Sequence, residues 1–174
     1  EQERERQAAS EGASAAGARG VDDENEWRDK YYALVGQMRE EKLLADTVVG
    51  LVENHDAANA SSPPLFLYWA MHLVHMPLQI PDAYLARFPE SDYPTVHHRF
   101  MLAMVSYMDD EVGRVVDALA DQGMLNDTVI TFHADNGGEI MGAGLCGGNN
   151  WPLTGGKFSN FEGGIRVNAF VSGG

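Results

Sequence analysis

One stretch of the chain, residues 128–138, has the pattern of a buried strand that ends abruptly in a polar turn. Its first part, residues 128–134, is rich in β-branched and aromatic side chains and holds no charged group apart from the titratable His133. Such a run is typical of a strand buried in a mostly parallel sheet. Asp135, Asn136 and two glycines follow, and the glycines let the backbone turn tightly. A carboxylate and an amide oxygen therefore stand at the end of a strand, where open α/β sheets bind ligands.

These two side chains allow two interpretations. Hard oxygen donors next to each other suit Mg²⁺ or Ca²⁺ better than a metal that prefers thiolates. A strand that ends in an ordinary Asx turn is the alternative, and it is the more common one for an isolated Asp-Asn-Gly sequence. The choice between them depends on what the rest of the chain brings to the same edge of the sheet.

The bulk composition excludes several classes of partner. The 174 residues are enough for one domain with a hydrophobic core. A formal net charge of −14 argues against nucleic acid or an anionic membrane as a non-specific partner. No apolar run approaches the roughly 20 residues of a membrane span. The single cysteine, Cys146, cannot form an internal disulfide. The sequons Asn59-Ala-Ser61 and Asn126-Asp-Thr128 are a weak indication of the secretory route.

The chain divides into two segments by composition. Residues 1–22 contain almost no large apolar side chains, so they are predicted to be disordered or an inserted surface loop. Residues 23–174 carry the apolar patterns of a folded domain. Because the sequence begins with Glu1 and stops just after an apparent core strand, we expect an internal piece of a longer protein.

Apolar periodicity predicts the main elements of the second segment. Two short helices come first, one starting near Asp23 and one over residues 46–54. The clearest helix covers residues 95–122 and ends at Gly123. Its acidic residues 109–111 are predicted to lie mainly on the solvated side, since successive helix positions do not share a face. Strands are predicted over residues 65–71, 128–134 and 165–172.

The predicted strand–helix–strand order has a geometric consequence. Parallel strands joined by a helix form a right-handed crossover, so the loops after the two strands emerge at the same edge of the sheet. His75 follows the first strand, and Asp135 and Asn136 follow the second. Lys157 lies in a glycine-rich loop that leaves the same edge and can reach them. We therefore expect these four residues to face one crevice.

The four residue types together suit an anionic ester. A hard cation and Lys157 would neutralise the ester's oxygens, and His75 would give the leaving group a proton. Each residue taken alone has an ordinary alternative, because a histidine after a strand is usually structural and a loop lysine is usually solvated. His72 and His133 do not share this loop placement and are predicted to be structural.

Seven sequence motifs span most of the chain after residue 60, and they are Pro64–Met71, Val74–Pro81, Met104–Gly113, Asn126–Val129, Asp135–Gly138, Gly147–Leu153 and Gly155–Gly164. Their residues and their order resemble the sulfatase family, in particular its arylsulfatase B-like branch. The resemblance implies an α/β fold of the alkaline-phosphatase type, with a mixed, largely parallel sheet between helices, of which residues 23–174 would be an incomplete part. It implies a sulfuric ester hydrolase that depends on Ca²⁺ and acts on sulfated small molecules or glycans, in the secretory pathway, the lysosome or outside the cell.

The resemblance also assigns roles by motif position. It implies that Asp135 and Asn136 are ligands of one Ca²⁺ ion whose other ligands lie outside this chain. His75 would contact the sulfate or protonate the leaving oxygen, and Lys157 would bridge the sulfate and the nucleophile. Asn126 falls on a glycosylation position of the branch.

Two parts of a sulfatase site are absent from this sequence. The family uses a formylglycine made from the cysteine of a Cys-x-Pro-x-Arg motif, and a pair of upstream aspartates completes its metal site. Cys146 precedes Gly-Gly-Asn-Asn and does not fit that motif. We therefore expect a fragment of the catalytic domain that is inactive alone. A phosphodiesterase or phosphonate hydrolase of the same superfamily is one alternative, and a non-catalytic homologue that binds an anion or a partner is another.

Overall fold

The described part of the chain consists of helices and one small sheet. A computed structural model describes residues 39–59, 61–140 and 146–174, so the segment 1–22 and the first predicted helix lie outside it. No helix among the described residues has the length and apolar character needed to cross a membrane. The helices are α1 (residues 39–53), α2 (Asp82–Leu85), α3 (Val96–Asp121) and α4 (Glu162–Ile165), with 3₁₀ turns at Glu90–Asp92 and Leu125–Asp127, and the strands are β1 (Val129–His133) and β2 (Ala169–Gly173).

The longest helix, α3, begins and ends where its sequence signals place it. Thr95 is the N-cap, and its Oγ1 accepts a hydrogen bond of 3.1 Å from the backbone N–H of His98. At the other end Gly123 has a φ of +68°, and the N–H of Met124 donates to the carbonyl of Leu119 at 2.8 Å. This is the Schellman arrangement, in which a left-handed glycine closes the helix. The predicted helix over residues 95–122 is therefore confirmed.

The hydrophobic core of the described residues lies between α1 and α3. Val52 of α1 packs with Ala118 and Leu119 of α3, and all three are buried. Leu65 and Ile130 pack against this cluster and are partly buried. The second predicted helix is thus the later part of α1, and its apolar face covers the end of α3. Because Ile130 belongs to β1, the same core fixes the strand that precedes the Asp-Asn turn.

The sheet of the described residues is an antiparallel pair. β1 and β2 pair in a register that sets Ile130 opposite Ser172 and Phe132 opposite Phe170. The rings of Phe132 and Phe170 stack with their centroids 5.1 Å apart. The second strand begins at Ala169 and not at residue 165 as predicted, because Ile165 ends α4 and residues 166–168 lead from that helix to the strand.

The predicted strand over residues 65–71 does not form, so the described part of the chain does not contain the predicted β-α-β unit. Residues 65–71 belong to no sheet there, and β1 pairs antiparallel with β2. Residues 65–71 alternate between half-buried and exposed side chains, and Phe66 is 90% exposed. β1 alternates in the same way, with Val129 62% exposed, so it is not the fully buried strand expected. An apolar run specifies an extended segment but does not specify which strand pairs with it.

One acidic residue of α3 is buried against the prediction. Asp109 and Asp110 are exposed as expected, but Glu111 is only 6% exposed. Its carboxylate pairs with Arg114 one turn away, and Arg114 also contacts Asp46 of α1 at 2.6 Å. A buried carboxylate is tolerated when a cation satisfies it, and here Arg114 of the same helix is held in turn by Asp46 of the neighbouring helix α1.

Candidate active site

The turn after β1 is held by close contact with the glycines of α4. The N–H of Gly137 donates to the carbonyl of Gly164 at 3.0 Å. A Cβ on Gly137 would lie 1.8 Å from the carbonyl oxygen of Gly163, so no side chain fits at this position. Asp135 is exposed and Asn136 is half-buried just before this contact. Backbone packing therefore presents both oxygen-bearing side chains at the end of the strand.

A long loop, residues 146–161, is joined to this turn by the side chain of Asn150. Its Oδ1 accepts a hydrogen bond from the N–H of Gly138 at 2.8 Å. Its Nδ2 donates to the carbonyls of Gly138 at 2.7 Å and of Gly155 at 3.2 Å. One amide group therefore satisfies backbone groups on the strand turn and on the returning part of the loop, and it holds the two together.

The start of the loop is attached to the first turn of α3. Nδ1 of His98 lies 3.1 Å from the carbonyl oxygen of Gly147. Gly147 has a φ of +72°, and a Cβ there would lie 2.2 Å from the carbonyl oxygen of His97. The left-handed conformation and the close approach both require glycine, so the loop is pinned at this end as well.

Lys157 is placed by backbone contacts on both of its sides. Its N–H donates to the carbonyl of Gly138 at 3.0 Å. The preceding Gly156 is buried, and a Cβ there would lie 2.4 Å from the oxygen of Gly138. Oγ of Ser159 accepts from the N–H of Gly156 at 3.1 Å and donates to its carbonyl at 2.7 Å. The lysine therefore leaves the loop beside the turn that carries Asp135 and Asn136.

His75 and Lys157 meet although 82 positions separate them in the sequence. Nζ of Lys157 lies 2.9 Å from Nε2 of His75, and Nδ1 of His75 lies 2.7 Å from the carbonyl oxygen of Met76. A carbonyl only accepts and an ammonium only donates, so the imidazole carries its proton on Nδ1 and accepts at Nε2. The histidine is exposed, so an incoming anion can reach the pair.

Phe158 follows Lys157 in a backbone conformation that is rare for a large side chain. Its φ is +74°, and no other non-glycine residue in the described ranges has a positive φ. Such a conformation costs about 1–3 kcal/mol and persists only where the surrounding structure enforces it, commonly at functional sites. The side chain is 80% exposed. Its ring centroid lies 5.4 Å from Nζ of Lys157, within the range of a cation–π contact.

Cys146 has the environment of an unreactive thiol. The residue is only 4% exposed. Burial raises the pKa of the Cys146 thiol, a hydrogen bond to the carboxylate of Glu139 raises it further, and the charge of Lys157 acts in the opposite direction. Because the thiolate is the nucleophilic form, a thiol kept protonated in this way is a poor nucleophile.

Asp135 and Asn136 have the donor chemistry of a hard-cation site. Nδ2 of Asn136 donates to the carbonyl of Gly137 at 2.9 Å, so Oδ1 is the atom that this side chain offers as an acceptor. Within residues 39–59, 61–140 and 146–174, no three His, Cys, Asp or Glu side chains converge on a metal-sized site. Since Ca²⁺ takes about six to eight oxygen ligands, these two residues fit a part of its ligand set and not the whole.

Two residues of the site carried no sequence signal of their own. Asn150 and Phe158 were not singled out, because the amide pairing of Asn150 and the positive φ of Phe158 depend on distant contacts. The density of glycines was the available signal, since it marks close approach of backbones. Trp151 of the same loop is 83% exposed, so the amide of Asn150 and not this ring holds the loop to the strand turn.

The chain belongs to the sulfatase family. The family model described as Sulfatase matches residues 6–174. The expected membership is therefore confirmed, and the match extends further toward the N-terminus than the motifs that carry the sequence resemblance.

The curated relatives that this chain matches include several proteins named as sulfatases. The chain is 38% identical over 130 residues to arylsulfatase J of Mus musculus, which covers 75% of this chain and 20% of the relative. It is 36% identical over 112 residues to N-acetylgalactosamine-6-sulfatase of Sus scrofa, and this match covers 64% of this chain and 20% of the relative. It is 31% identical over 114 residues to arylsulfatase A of Homo sapiens, and this match covers 66% of this chain and 21% of the relative. The chain spans about a fifth of the length of these relatives.

A solved structure shares the fold of the chain. The structure described as Ps i-CgsB in complex with k-i-k-neocarrahexaose matches with a TM-score of 0.67 and 34% sequence identity. The match covers 76% of this chain and 28% of that one. At this level of similarity the two chains have the same fold over the matched part.

Proposed function

We propose that this chain forms one side of the active site of a Ca²⁺-dependent sulfate ester hydrolase. The contact between His75 and Lys157 beside the Asp-Asn turn is the observation that carries the proposal, since it joins an anion-binding ammonium to a proton-carrying imidazole. Membership of the sulfatase family supports it. The rest of the domain would complete the mixed, largely parallel sheet of the alkaline-phosphatase type, and the chain's share of the relatives' length supports that view.

Lys157 and His75 would have different roles at the sulfate. The Lys157 ammonium would bind the sulfate oxygens and reach the nucleophile, because its backbone N–H is fixed on the carbonyl of Gly138 and its Nζ lies 2.9 Å from Nε2 of the exposed His75. Nε2 of His75, which already accepts a hydrogen bond from that ammonium, can receive a proton and deliver it to the leaving oxygen. The carbonyl of Met76 holds Nδ1 and so keeps the ring oriented for this transfer.

Asp135 and Asn136 would hold one Ca²⁺ ion through their side-chain oxygens, with the remaining ligands from outside this chain. When bound, the cation supplies positive charge that stabilises the sulfate as charge develops on it. The nucleophile would also come from outside this chain, because Cys146 is buried and does not stand in a Cys-x-Pro-x-Arg motif.

Carbohydrate sulfates are the proposed substrates. The relatives include enzymes named as N-acetylgalactosamine-6-sulfatase, and the matching structure is titled as a complex with an oligosaccharide, a neocarrahexaose. We place the protein in the secretory pathway, the lysosome or the extracellular space. The two sequon asparagines, Asn59 and Asn126, are both exposed and therefore accessible to glycosylation.

Hydrolysis of an aryl sulfate by the complete protein that contains these residues tests the proposal. We expect Lys157→Ala to lower kcat by about 10²–10³-fold, because a charge that stabilises the transition state is lost. Lys42→Ala is the matched control, since Lys42 is an exposed lysine paired with Asp46 at 2.7 Å, and we expect it to have no effect. Equal activity of the two variants would refute the role of Lys157.

Removal of the metal tests the cation. We expect a chelator to abolish the activity of the complete protein and Ca²⁺ to restore it, and Asp135→Ala to raise the Ca²⁺ concentration required. Restoration by Zn²⁺ with turnover of a phosphodiester, and not by Ca²⁺ with turnover of a sulfate, would establish the phosphodiesterase alternative. The 174-residue chain alone is expected to hydrolyse no aryl sulfate at any Ca²⁺ concentration.

A further inference from the structure

The side chain of Phe158 is exposed beside the proposed sulfate position. The turn closed by Ser159 on Gly156 surrounds the Lys157–Phe158 peptide and enforces the left-handed conformation of Phe158. The ring packs into no core, since the side chain is 80% exposed, and it lies 5.4 Å from Nζ of Lys157. The protein therefore maintains an unfavourable backbone conformation that leaves an aromatic face in solvent next to the ammonium.

The neighbouring Phe161 shows that this placement is not a general property of the loop. Its backbone φ is −82°, which is ordinary for any residue. Its side chain is 62% exposed, and its Cβ and Cδ2 lie 2.8 and 3.3 Å from the position that a Cβ on Gly155 would take, so one side of the ring borders the loop's own backbone. The two phenylalanines of one loop thus differ in placement: Phe161 borders Gly155, and Phe158 lies beside Lys157.

We propose that the ring of Phe158 stacks on the leaving group of the substrate, and so selects sulfate esters whose leaving group is a ring. This inference rests on the proposed function, in which Lys157 binds the sulfate. With the sulfate at Nζ of Lys157, the ester oxygen and the group attached to it lie within reach of a ring 5.4 Å from the same nitrogen. The flat face of phenylalanine contacts either the C–H face of a pyranose or the π face of an aryl group. A short alkyl group offers no such face.

The experiment compares three sulfate esters in the complete protein: a pyranose sulfate, an aryl sulfate and a short-chain alkyl sulfate. We expect Phe158→Leu, which keeps apolar bulk and loses the aromatic face, to lower kcat/KM for the ring esters by about 5- to 10-fold. The alkyl sulfate should be hydrolysed at an unchanged rate. Phe158→Tyr should retain the preference for rings. Phe161→Leu is the matched control, and it should change none of the three rates.

A second variant keeps the test decisive if leucine disturbs the backbone. Asparagine accepts the left-handed region better than other side chains, so Phe158→Asn removes the ring without adding strain. It should lose the same preference for ring esters as Phe158→Leu. A loss confined to the pyranose sulfate would show that Phe158 recognises sugar rings. A loss on both ring esters would show that it recognises sugar and aryl rings alike.

Two results would overturn the inference without touching the proposed function. An equal fall on all three esters would make Phe158 only a support for Lys157 through the cation–π contact. Unchanged rates on all three would show that the ring contacts no substrate. Failure of the complete protein to hydrolyse any sulfate ester would instead refute the proposed function, and the inference would fall with it.

Discussion

Replacing Gly156 by alanine should both displace Lys157 and destabilise the loop that carries it. A Cβ at position 156 would lie 2.4 Å from the carbonyl oxygen of Gly138, 2.8 Å from Nδ2 of Asn150 and 2.9 Å from Cγ2 of Ile140. Real Cβ atoms do not approach other heavy atoms this closely, and the first two are held in place by hydrogen bonds. The loop must therefore move away from the strand turn.

The expected cost follows from the contacts that this movement breaks. Two hydrogen bonds join the loop to the Gly138 carbonyl at this point, one of 3.0 Å from the N–H of Lys157 and one of 2.7 Å from Asn150. Their loss costs about 1 kcal/mol each, and residual overpacking adds about 1–2 kcal/mol. We expect Gly156→Ala to lower the free energy of unfolding by about 3–4 kcal/mol. A displacement of Lys157 by about 1 Å should lower kcat by about 10²-fold.

Gly148→Ala provides the control in the same loop. A Cβ there would meet only the Cα of Gly138, at 3.4 Å, which is close to ordinary contact. The change should leave stability within about 1 kcal/mol, with a stabilising tendency because alanine restricts the unfolded chain. Urea denaturation and aryl sulfate turnover of the complete protein measure both effects. Equal unfolding free energies for the two variants would show that the close approach at Gly156 does not hold the loop.

Two further predictions concern Cys146 and a buried carboxylate. Because burial raises the pKa of the Cys146 thiol, iodoacetamide at pH 8 should alkylate it at least about 10-fold more slowly than a free cysteine, and urea should remove the difference. The raised pKa also means that stability is fully present below the pKa of the unfolded thiol and falls as pH rises through the folded value, so unfolding measured from pH 7 to 10 should be less pH-dependent in Cys146→Ala. Glu41 is 1% exposed, and its Oε1 accepts a hydrogen bond from the N–H of His72 at 2.9 Å and lies 2.8 Å from Nδ1 of the same residue. Glu41→Ala should cost about 2–4 kcal/mol in urea unfolding and Glu41→Gln, which keeps one acceptor, clearly less; the reverse order would contradict this account.

Local signals predicted local structure well. The limits of α3 follow from a threonine that caps its first turn and a glycine that closes its last, and both devices act within a few residues. Glu111 was misplaced on the solvated side for the opposite reason. Its burial depends on Arg114 and on a second helix that brings Asp46 to the same cation. Periodicity describes one helix, and it contains no information about the helix that packs on it.

Strand pairing marks the limit of sequence reasoning here. β1 forms where its composition predicts, yet residues 65–71 form no strand, and the predicted β-α-β unit does not occur in the described part of the chain. Backbone hydrogen bonds are chemically the same at every residue, so an apolar run cannot name its partner. The pairing of β1 with β2 follows from the path of the loop that lies between them.

The sequence alone determined the family, through motifs whose residue types and order are legible without coordinates, and it marked His75, Asp135, Asn136 and Lys157 as the chemical groups. Only the tertiary structure decided that Nζ of Lys157 meets Nε2 of His75 across 82 positions. It also decided that Asn150 ties the loop to the strand turn and that Phe158 stands open beside the ammonium. The sequence gives the chemical type of each residue independently of the residues that it contacts. Distances between remote positions depend instead on how closely backbones approach in the folded state. The glycines at 137, 156 and 163 allow that close approach.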